Sequence, residues 1–368
     1  MPPVFEISGR PIGAGHPVYI IAELSANHGQ RFDQAVELVR AAKACGADAV
    51  KLQTYTPDTL TIDCDKEFFK IRGTLWEGRS LYDLYKEAFT PWEWQPKLKK
   101  IADQLRLDLF STPFDDGAVD FLEAMGVPAH KIASFESGDI GLLRKVAATG
   151  KPVIVSTGTA TLAEIDETVR TVRAAGGDRL ALLKCTSAYP APESEMNLKT
   201  IPHLSEAFSL PVGLSDHSLG IAAPIAAVSL GACIIEKHFA LSRAAGGPDS
   251  AFSLEPAEFK AMVEGVRAAE KMLGRIDYGL SASERSSRSF RRSLFVVKDV
   301  RAGEVFTPEN LRSIRPAYGL HPRHLEEVLG KTASRDIERG TPLSWDMVGA
   351  AQAVLNEKSS GGRAHASG

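Results

Sequence analysis

Over the first 275 residues one pattern returns eight times: a short apolar run rich in β-branched residues, then an amphipathic segment of helical period. Strand candidates are 18–24, 49–54, 107–112, 131–134, 152–157, 180–185, 211–215 and 233–238. Helix candidates follow at 33–45, 91–105, 116–125, 141–148, 162–174, 197–207, 220–230 and 256–273. Runs that stay apolar instead of alternating are buried on both faces, as in a parallel sheet covered by helices. Eight such units predict an α/β chain folded as a (β/α)8 (TIM) barrel. A doubly wound open sheet is the alternative, but no Gly-x-Gly-x-x-Gly turn follows any strand.

In such a barrel the functional groups gather at the C-terminal strand ends. The last two units end in Ser215-Asp216-His217 and Glu236-Lys237-His238. Two histidines closing neighbouring parallel strands, with carboxylates beside them, form a candidate divalent-metal pair. Either one alone reads more readily as a buried structural histidine. The other ends carry Glu23, Ser25, Asn27 and His28; Lys51 and Gln53; Ser111, Thr112 and Asp115; Lys131, Ser134 and Glu136; Ser156 and Thr157; and Lys184, Ser187 and Tyr189.

A lysine inside a barrel strand is costly to bury without an anion. Lys51, Lys131, Lys184 and Lys237 together predict a pocket for an anionic substrate, while any one of them reads equally as snorkelling to solvent. The serine and threonine hydroxyls suit a phosphate cradle. One interruption, residues 57–94, is too long for an ordinary βα loop and carries Phe68, Phe69, Trp76, Tyr82 and Tyr85. It reads as a lid or specificity loop, or as an apolar patch packed on the barrel or on a subunit neighbour.

A net charge of −3 argues against nucleic-acid binding, and no apolar run is long enough to span a membrane. The N-terminus shows no signal-peptide pattern. The four cysteines (Cys45, Cys64, Cys185 and Cys233) are scattered, which suits a reduced, cytoplasmic enzyme, with Cys185 and Cys233 as small core residues. These features predict a catalytic barrel over 1–278 and a Ser/Arg-rich linker over 279–292. A second small domain follows over 293–350, where KDVRAGEVFTPENL returns as RDIERGTPLSWDMV, and then a small-residue tail, 351–368, expected to be disordered.

Several strings taken together resemble the sialic acid synthase family: IAELSANH (21–28), AVKLQTYTPDTLT (49–61), FSTPFD (110–115), KIASFE (131–136), STGTATLAEI (156–165), LLKCTSAYPAP (182–192), PVGLSDHSLGI (211–221), IIEKHF (234–239) and SIRPAYGLHP (313–322). The resemblance covers roughly residues 15–348 and implies a TIM barrel followed by an antifreeze-like (SAF, β-clip) domain. Within the family, GTLWEGRSLYDLYKEAFTPWEW (73–94), GGPDSAFSLEP (246–256) and RRSLFVVKD (291–299) are most similar to the branch that makes pseudaminate. That implies a cytoplasmic transferase condensing phosphoenolpyruvate with 2,4-diacetamido-2,4,6-trideoxy-L-altrose to give pseudaminate and phosphate. The N-acetylneuraminate and legionaminate branches are the alternatives within the family, and a metal-dependent barrel hydrolase is the alternative outside it.

The resemblance also implies roles. His217 and His238 would hold Mn2+ or Mg2+. Lys51, Lys131, Ser134, Ser156 and Ser215 would hold phosphoenolpyruvate, and Gln53, Ser187 and Glu236 would also be substrate-binding residues. Glu23 and Glu136 would be the carboxylates near the reacting carbons, and Tyr189 and Asp249 would bind the sugar. Arg315 would reach from one subunit into the partner's barrel in a domain-swapped homodimer. The sequence departs from the pattern where Ser187 stands in place of the asparagine usual in N-acetylneuraminate members, and where SFESGDIG replaces the branch's more usual SFEITDIP.

Overall fold

The computed structural model describes residues 3–351, so the rest of the expected tail lies outside the described residues. The chain forms two compact units, Met1–Gly274 and Arg275–Gly368. In the first, eight parallel strands close into a barrel: β1 (Tyr19–Glu23), β2 (Ala49–Thr54), β3 (Asp108–Pro113), β4 (His130–Ile132), β5 (Val153–Ser156), β6 (Leu180–Cys185), β7 (Val212–Asp216) and β8 (Ile234–His238). Pairing of β8 with β1, from Ile234↔Tyr19 to His238↔Glu23, closes the ring. The (β/α)8 expectation therefore holds, with strand ends shifted by a residue or two.

Each strand alternates its side chains between two destinations. Ile20, Val50, Leu109, Ile132, Val155, Leu182, Leu214 and Ile235 point outward into the layer shared with the helices. Tyr19, Ile21, Ala49, Phe110, Ile154, Ala181, Leu183 and Ile234 fill the barrel's interior at its N-terminal end. A hairpin of Phe5–Ile7 and Arg10–Ile12 plugs that end, with Phe5, Ile7 and Ile12 buried in the same cluster. Its three-residue strands are too short for a periodicity signal, and the sequence reading missed them. The N-terminal end of the interior is thus filled, and the polar residues gather at the C-terminal mouth.

Gly213 in β7 shows how tightly the ring is drawn. A Cβ there would stand 2.3 Å from the Ile234 carbonyl oxygen, so only glycine lets β8 approach so closely. Helix starts are set by side-chain caps: Asp115 before Asp116–Met125, Asp139 before Ile140–Ala148, and a Thr161/Glu164 capping box before Leu162–Ala174. The helix expected over 91–105 is instead a 3-10 turn, Trp92–Trp94, leading into Gln95–Gln104, because Pro96 suits only a first turn.

In the second unit a six-residue helix, Ala282–Ser287, with a Ser281/Glu284 capping box, occupies much of the stretch read as linker. Beyond it, Ser293–Val296 pairs antiparallel with Leu311–Ile314, and Lys331–Ala333 with Val348–Ala351. The two copies of the repeated turn pair with each other through reciprocal Val300–Ile337 hydrogen bonds. Asp336 accepts from the Ala302 amide as Asp299 accepts from that of Arg339. Leu294, Val296, Val300, Phe306, Leu311, Ile337 and Leu343 form this unit's own core.

Candidate active site

At the mouth, the inward positions beyond the apolar plug become polar. They line a cavity of about 510 Å³. Lys51 and Gln53 come from β2, Lys131 from β4, Ser156 from β5, Ser215 from β7 and Glu236 and His238 from β8. Ser134 and Glu136 sit on a 3-10 turn after β4, and His217 directly follows β7. Ser187, Tyr189 and Asp249 also line the cavity.

Its floor is a buried charge network. Lys51 Nζ lies 2.7 Å from Glu23 Oε2 and 3.5 Å from Glu236 Oε1, and donates to Thr112 Oγ1 at 3.2 Å. Lys131 Nζ donates to Ser156 Oγ at 2.6 Å and stands 3.9 Å from the other oxygen of Glu236. Burial works against every one of these charges, but Lys131 and Lys51 together hold the Glu236 carboxyl below its ordinary range. Glu23 is different: burial, with the neighbouring Glu236 charge, pushes it to about 7 against the opposing pull of Lys51. Glu136 is also raised to about 7, first by burial, with Lys131 offsetting only part of it. One of its oxygens is buried without a hydrogen-bond partner.

Beside this network Gly158 makes a cradle. Its amide donates to Ser134 Oγ at 3.1 Å, and a Cβ there would stand 2.2 Å from Ser187 Oγ and 2.7 Å from Ser134 Oγ. Two hydroxyls and the Cys185 sulfur, 3.1 Å from that Cβ, therefore close around Gly158. Ser134 and Ser187 line the same cavity as Lys131 and Ser156, a set whose hydroxyls and ammonium suit phosphate oxygens.

The histidine rings lie with centroids 5.2 Å apart. His217 Nδ1 is 3.2 Å from the Thr186 carbonyl oxygen; an N–H donated there leaves Nε2 bare, the arrangement typical of a metal-ligating imidazole. His238 Nδ1 is buried with no hydrogen-bond partner, 4.0 Å from Asp249 Oδ2. Burial, then the charges around it, lower His238 well below its ordinary range. Among the described residues no group of three or more His, Cys, Asp or Glu side chains is gathered as a metal set. The unpartnered His238 Nδ1 and the free Nε2 of His217 are two donors that a divalent ion would accept, and substrate or water would have to fill its other positions.

The insertion roofs the cavity with Leu60, Ile71, Thr74, Trp76, Leu81, Leu84 and Tyr85. Two rings, Trp76 and Tyr189, continue this wall down to the histidines. Trp76 lies 5.6 Å from Tyr189, and Tyr189 lies 4.6 Å from His217.

The NeuB family model matches residues 38–278, well over half of the chain, and the SAF domain model matches 291–349. The chain belongs to the NeuB family. The pseudaminic acid synthase of Campylobacter jejuni (strain 81-176) is 48% identical over 326 residues, spanning 89% of this chain and 95% of the relative. The N,N'-diacetyllegionaminic acid synthase of Legionella pneumophila is 37% identical over 349 residues, spanning 93% and 98%. The solved N-acetylneuraminic acid synthetase of Leptospira borgpetersenii, in complex with citrate, aligns with a TM-score of 0.70 at 33% identity, covering 78% of this chain and 95% of that one.

In this NeuB-family barrel, two of the four lysines expected in the pocket do not reach it. Lys184 and Lys237 stand at outward positions of β6 and β8, one residue out of phase with the cavity. Lys184 bonds the Cys185 carbonyl and Thr186 Oγ1, and Lys237 bonds Asp216. Asp216 is therefore not a carboxylate of the histidine site. Asn27 and His28 are structural as well: Asn27 donates to the Phe239 carbonyl and Ser253 Oγ, and His28 packs on Thr90 and Trp94. Arg315 is exposed in the second unit. Cys185, expected as plain core, has its sulfur 3.8 Å from His217 Nδ1. Trp76 lines the cavity as the lid reading of residues 57–94 expected, whereas sequence reasoning missed Tyr55, which the inward parity of β2, extended two residues past Gln53, would have found.

Proposed function

We propose that this NeuB-family chain is a pseudaminic acid synthase, a transferase joining phosphoenolpyruvate and water to 2,4-diacetamido-2,4,6-trideoxy-L-altrose and releasing phosphate. The observation that carries the reading is 48% identity to a pseudaminic acid synthase across most of both chains, against 37% to a legionaminate relative of similar coverage. The lysine-rich, hydroxyl-lined cavity supports it. A metal-dependent hydrolase leaves the Lys51 and Lys131 ammonium groups and the serine hydroxyls gathered in one cavity without a use.

The anion sits deepest. Lys131, Ser134, Ser156 and Ser187 bind its phosphate, and Lys51 with Ser215 takes its carboxylate. The sugar lies above, between the histidines and the insertion, held by Tyr189, Asp249 and Gln53, so that its aldehyde carbon faces C3 of the enol. His217 and His238 would hold a divalent ion, Mn2+ or Mg2+, which when bound polarises the aldehyde oxygen. As the C3–C1 bond forms, positive charge grows at C2, and the Glu136 carboxylate answers it and takes a proton from the attacking water. The tetrahedral carbon then expels phosphate by breaking the C–O bond as its new hydroxyl gives up its proton to form the C2 ketone, and the two protons of the water end on the former aldehyde oxygen and on the released phosphate. Glu23, sharing Lys51, is the second proton-holding group in reach of the site.

The family resemblance further supports a cytoplasmic homodimer in which Arg315 reaches the partner's sugar site. Among the described residues, no helix is long and apolar enough to cross a membrane. The test is phosphate release from phosphoenolpyruvate with the altrose derivative, its legionaminate-series isomer or N-acetylmannosamine, followed by product mass and NMR. Turnover confined to either of the latter two would overturn the pseudaminate reading.

A further inference from the structure

Trp76 belongs to the insertion rather than to the barrel, yet it touches both loops that overhang the histidines. It sits on a turn between Gly73 and Gly78, whose φ angles of 69° and 84° suit glycine. Its indole Nε1 donates to the Pro248 carbonyl at 2.9 Å. Pro248 precedes Asp249, which accepts from Ser25 Oγ and stands 4.0 Å from His238 Nδ1. The indole ring meets Tyr189, and Tyr189 meets His217. One side chain thus links the insertion to the loop after β6 through its ring, and to the loop after β8 through its N–H.

We propose that Trp76 is a positioning residue of the sugar half of the cavity. Its N–H fixes the loop that carries Asp249, and its ring completes, with Tyr189, the wall against which the sugar lies. This rests on the synthase reading, in which the sugar is the substrate between insertion and histidines while phosphoenolpyruvate lies deeper. An aromatic face suits the C–H face of a deoxy sugar ring, and an indole tied at its one polar atom presents that face at little entropic cost.

The two contacts are separable. Trp76→Phe keeps a ring and removes the donor, and Trp76→Ala removes both. Steady-state kinetics use phosphoenolpyruvate and whichever acetamido sugar the unaltered enzyme turns over, so a wrong sugar assignment would show in the unaltered enzyme and leave this comparison intact. The expected sugar KM rises roughly three- to tenfold in Trp76→Phe, and kcat/KM for the sugar falls about thirtyfold or more in Trp76→Ala. The phosphoenolpyruvate KM stays within about twofold in both. Backbone hydrogen exchange should quicken at residues 70–80 and also at 246–252, with the barrel strands unchanged. An unmoved sugar KM, an equal rise in both KM values, or faster exchange at 70–80 alone would each overturn the proposal.

Discussion

Lys237 and Asp216 form an ion pair at 2.6 Å with no side-chain exposure on either partner, on the outward face of adjacent strands β8 and β7. Each directly precedes or neighbours a site histidine, so the pair clamps together the two strand ends that carry His217 and His238. Asp216 also accepts from the Ser218 amide and hydroxyl, and Lys237 donates to the Ser218 carbonyl. Breaking such a pair leaves a buried charge uncompensated, while replacing both partners with apolar groups does not. Lys237→Met should therefore cost about 3–5 kcal/mol in chemical denaturation. The double variant Lys237→Met/Asp216→Leu should recover a good part of that loss. If the single variant matches the unaltered protein, the clamp is not a stabilising element.

A second prediction concerns Glu136, raised from an ordinary 4.5 to about 7 chiefly by burial. In the proposed mechanism it works as the carboxylate, so kcat should fall about tenfold per pH unit below that value. Stability moves the other way. Between 4.5 and 7 the folded protein keeps a proton that the unfolded chain has released, so this group destabilises the fold progressively as pH rises through the window. Glu136→Gln should thus lose turnover at every pH yet gain stability on the order of 2 kcal/mol above pH 7, a gain that vanishes near pH 4. Equal stability differences at pH 5 and pH 8 would show that the carboxyl is not perturbed.

How far the sequence carried this reading follows from strand parity. Continuous apolar runs announced the eight strands, and the residues closing them announced a polar mouth. What those runs hide is which face each residue takes, because a strand buried on both sides carries no alternation. Lys51 and Lys131 were placed in the cavity with Lys184 and Lys237, yet the latter pair sits one residue out of phase. Register to a neighbouring strand settles this, as in Glu236↔Ser215 and Lys237↔Asp216. Gly158 was legible only as part of a weak Ser-Thr-Gly string, since its role lies in a close approach to Ser187 and Ser134, which follow other strands. The terminal hairpin was too short to leave a period.

That close approach makes a third prediction. In Gly158→Ala the new methyl would enter the hollow between Ser134 and Ser187. The serine hydroxyls are short and can turn aside, so the fold should survive with a loss of about 1–3 kcal/mol. The hollow would be filled, and the phosphoenolpyruvate KM should rise about tenfold or more while the sugar KM changes little. A rise confined to the sugar KM would place the phosphate elsewhere.

The histidine pair can be tested without relying on activity alone. His217→Ala should keep the fold, seen as an unchanged far-ultraviolet spectrum, and lose turnover by at least about a hundredfold. Titration with Mn2+ should show affinity weakened by about tenfold or more relative to the unaltered protein. Full activity after exhaustive chelation of the unaltered enzyme would remove the ion from the mechanism.

The proposed exchange of Arg315 between subunits makes a prediction that a self-contained monomer does not. Arg315→Ala should raise the sugar KM, and His217→Ala should be inactive, each as a pure dimer. In a mixed dimer, the barrel of the Arg315→Ala chain is intact and would receive Arg315 from the His217→Ala chain. That one site is then complete, while the other lacks both groups. Unfolding and refolding the two variants together should restore about a quarter of the unaltered activity, because half of randomly assorted dimers are mixed and each carries one complete site. Activity that stays at the sum of the two separate variants would mean that each barrel uses its own chain's Arg315 or none.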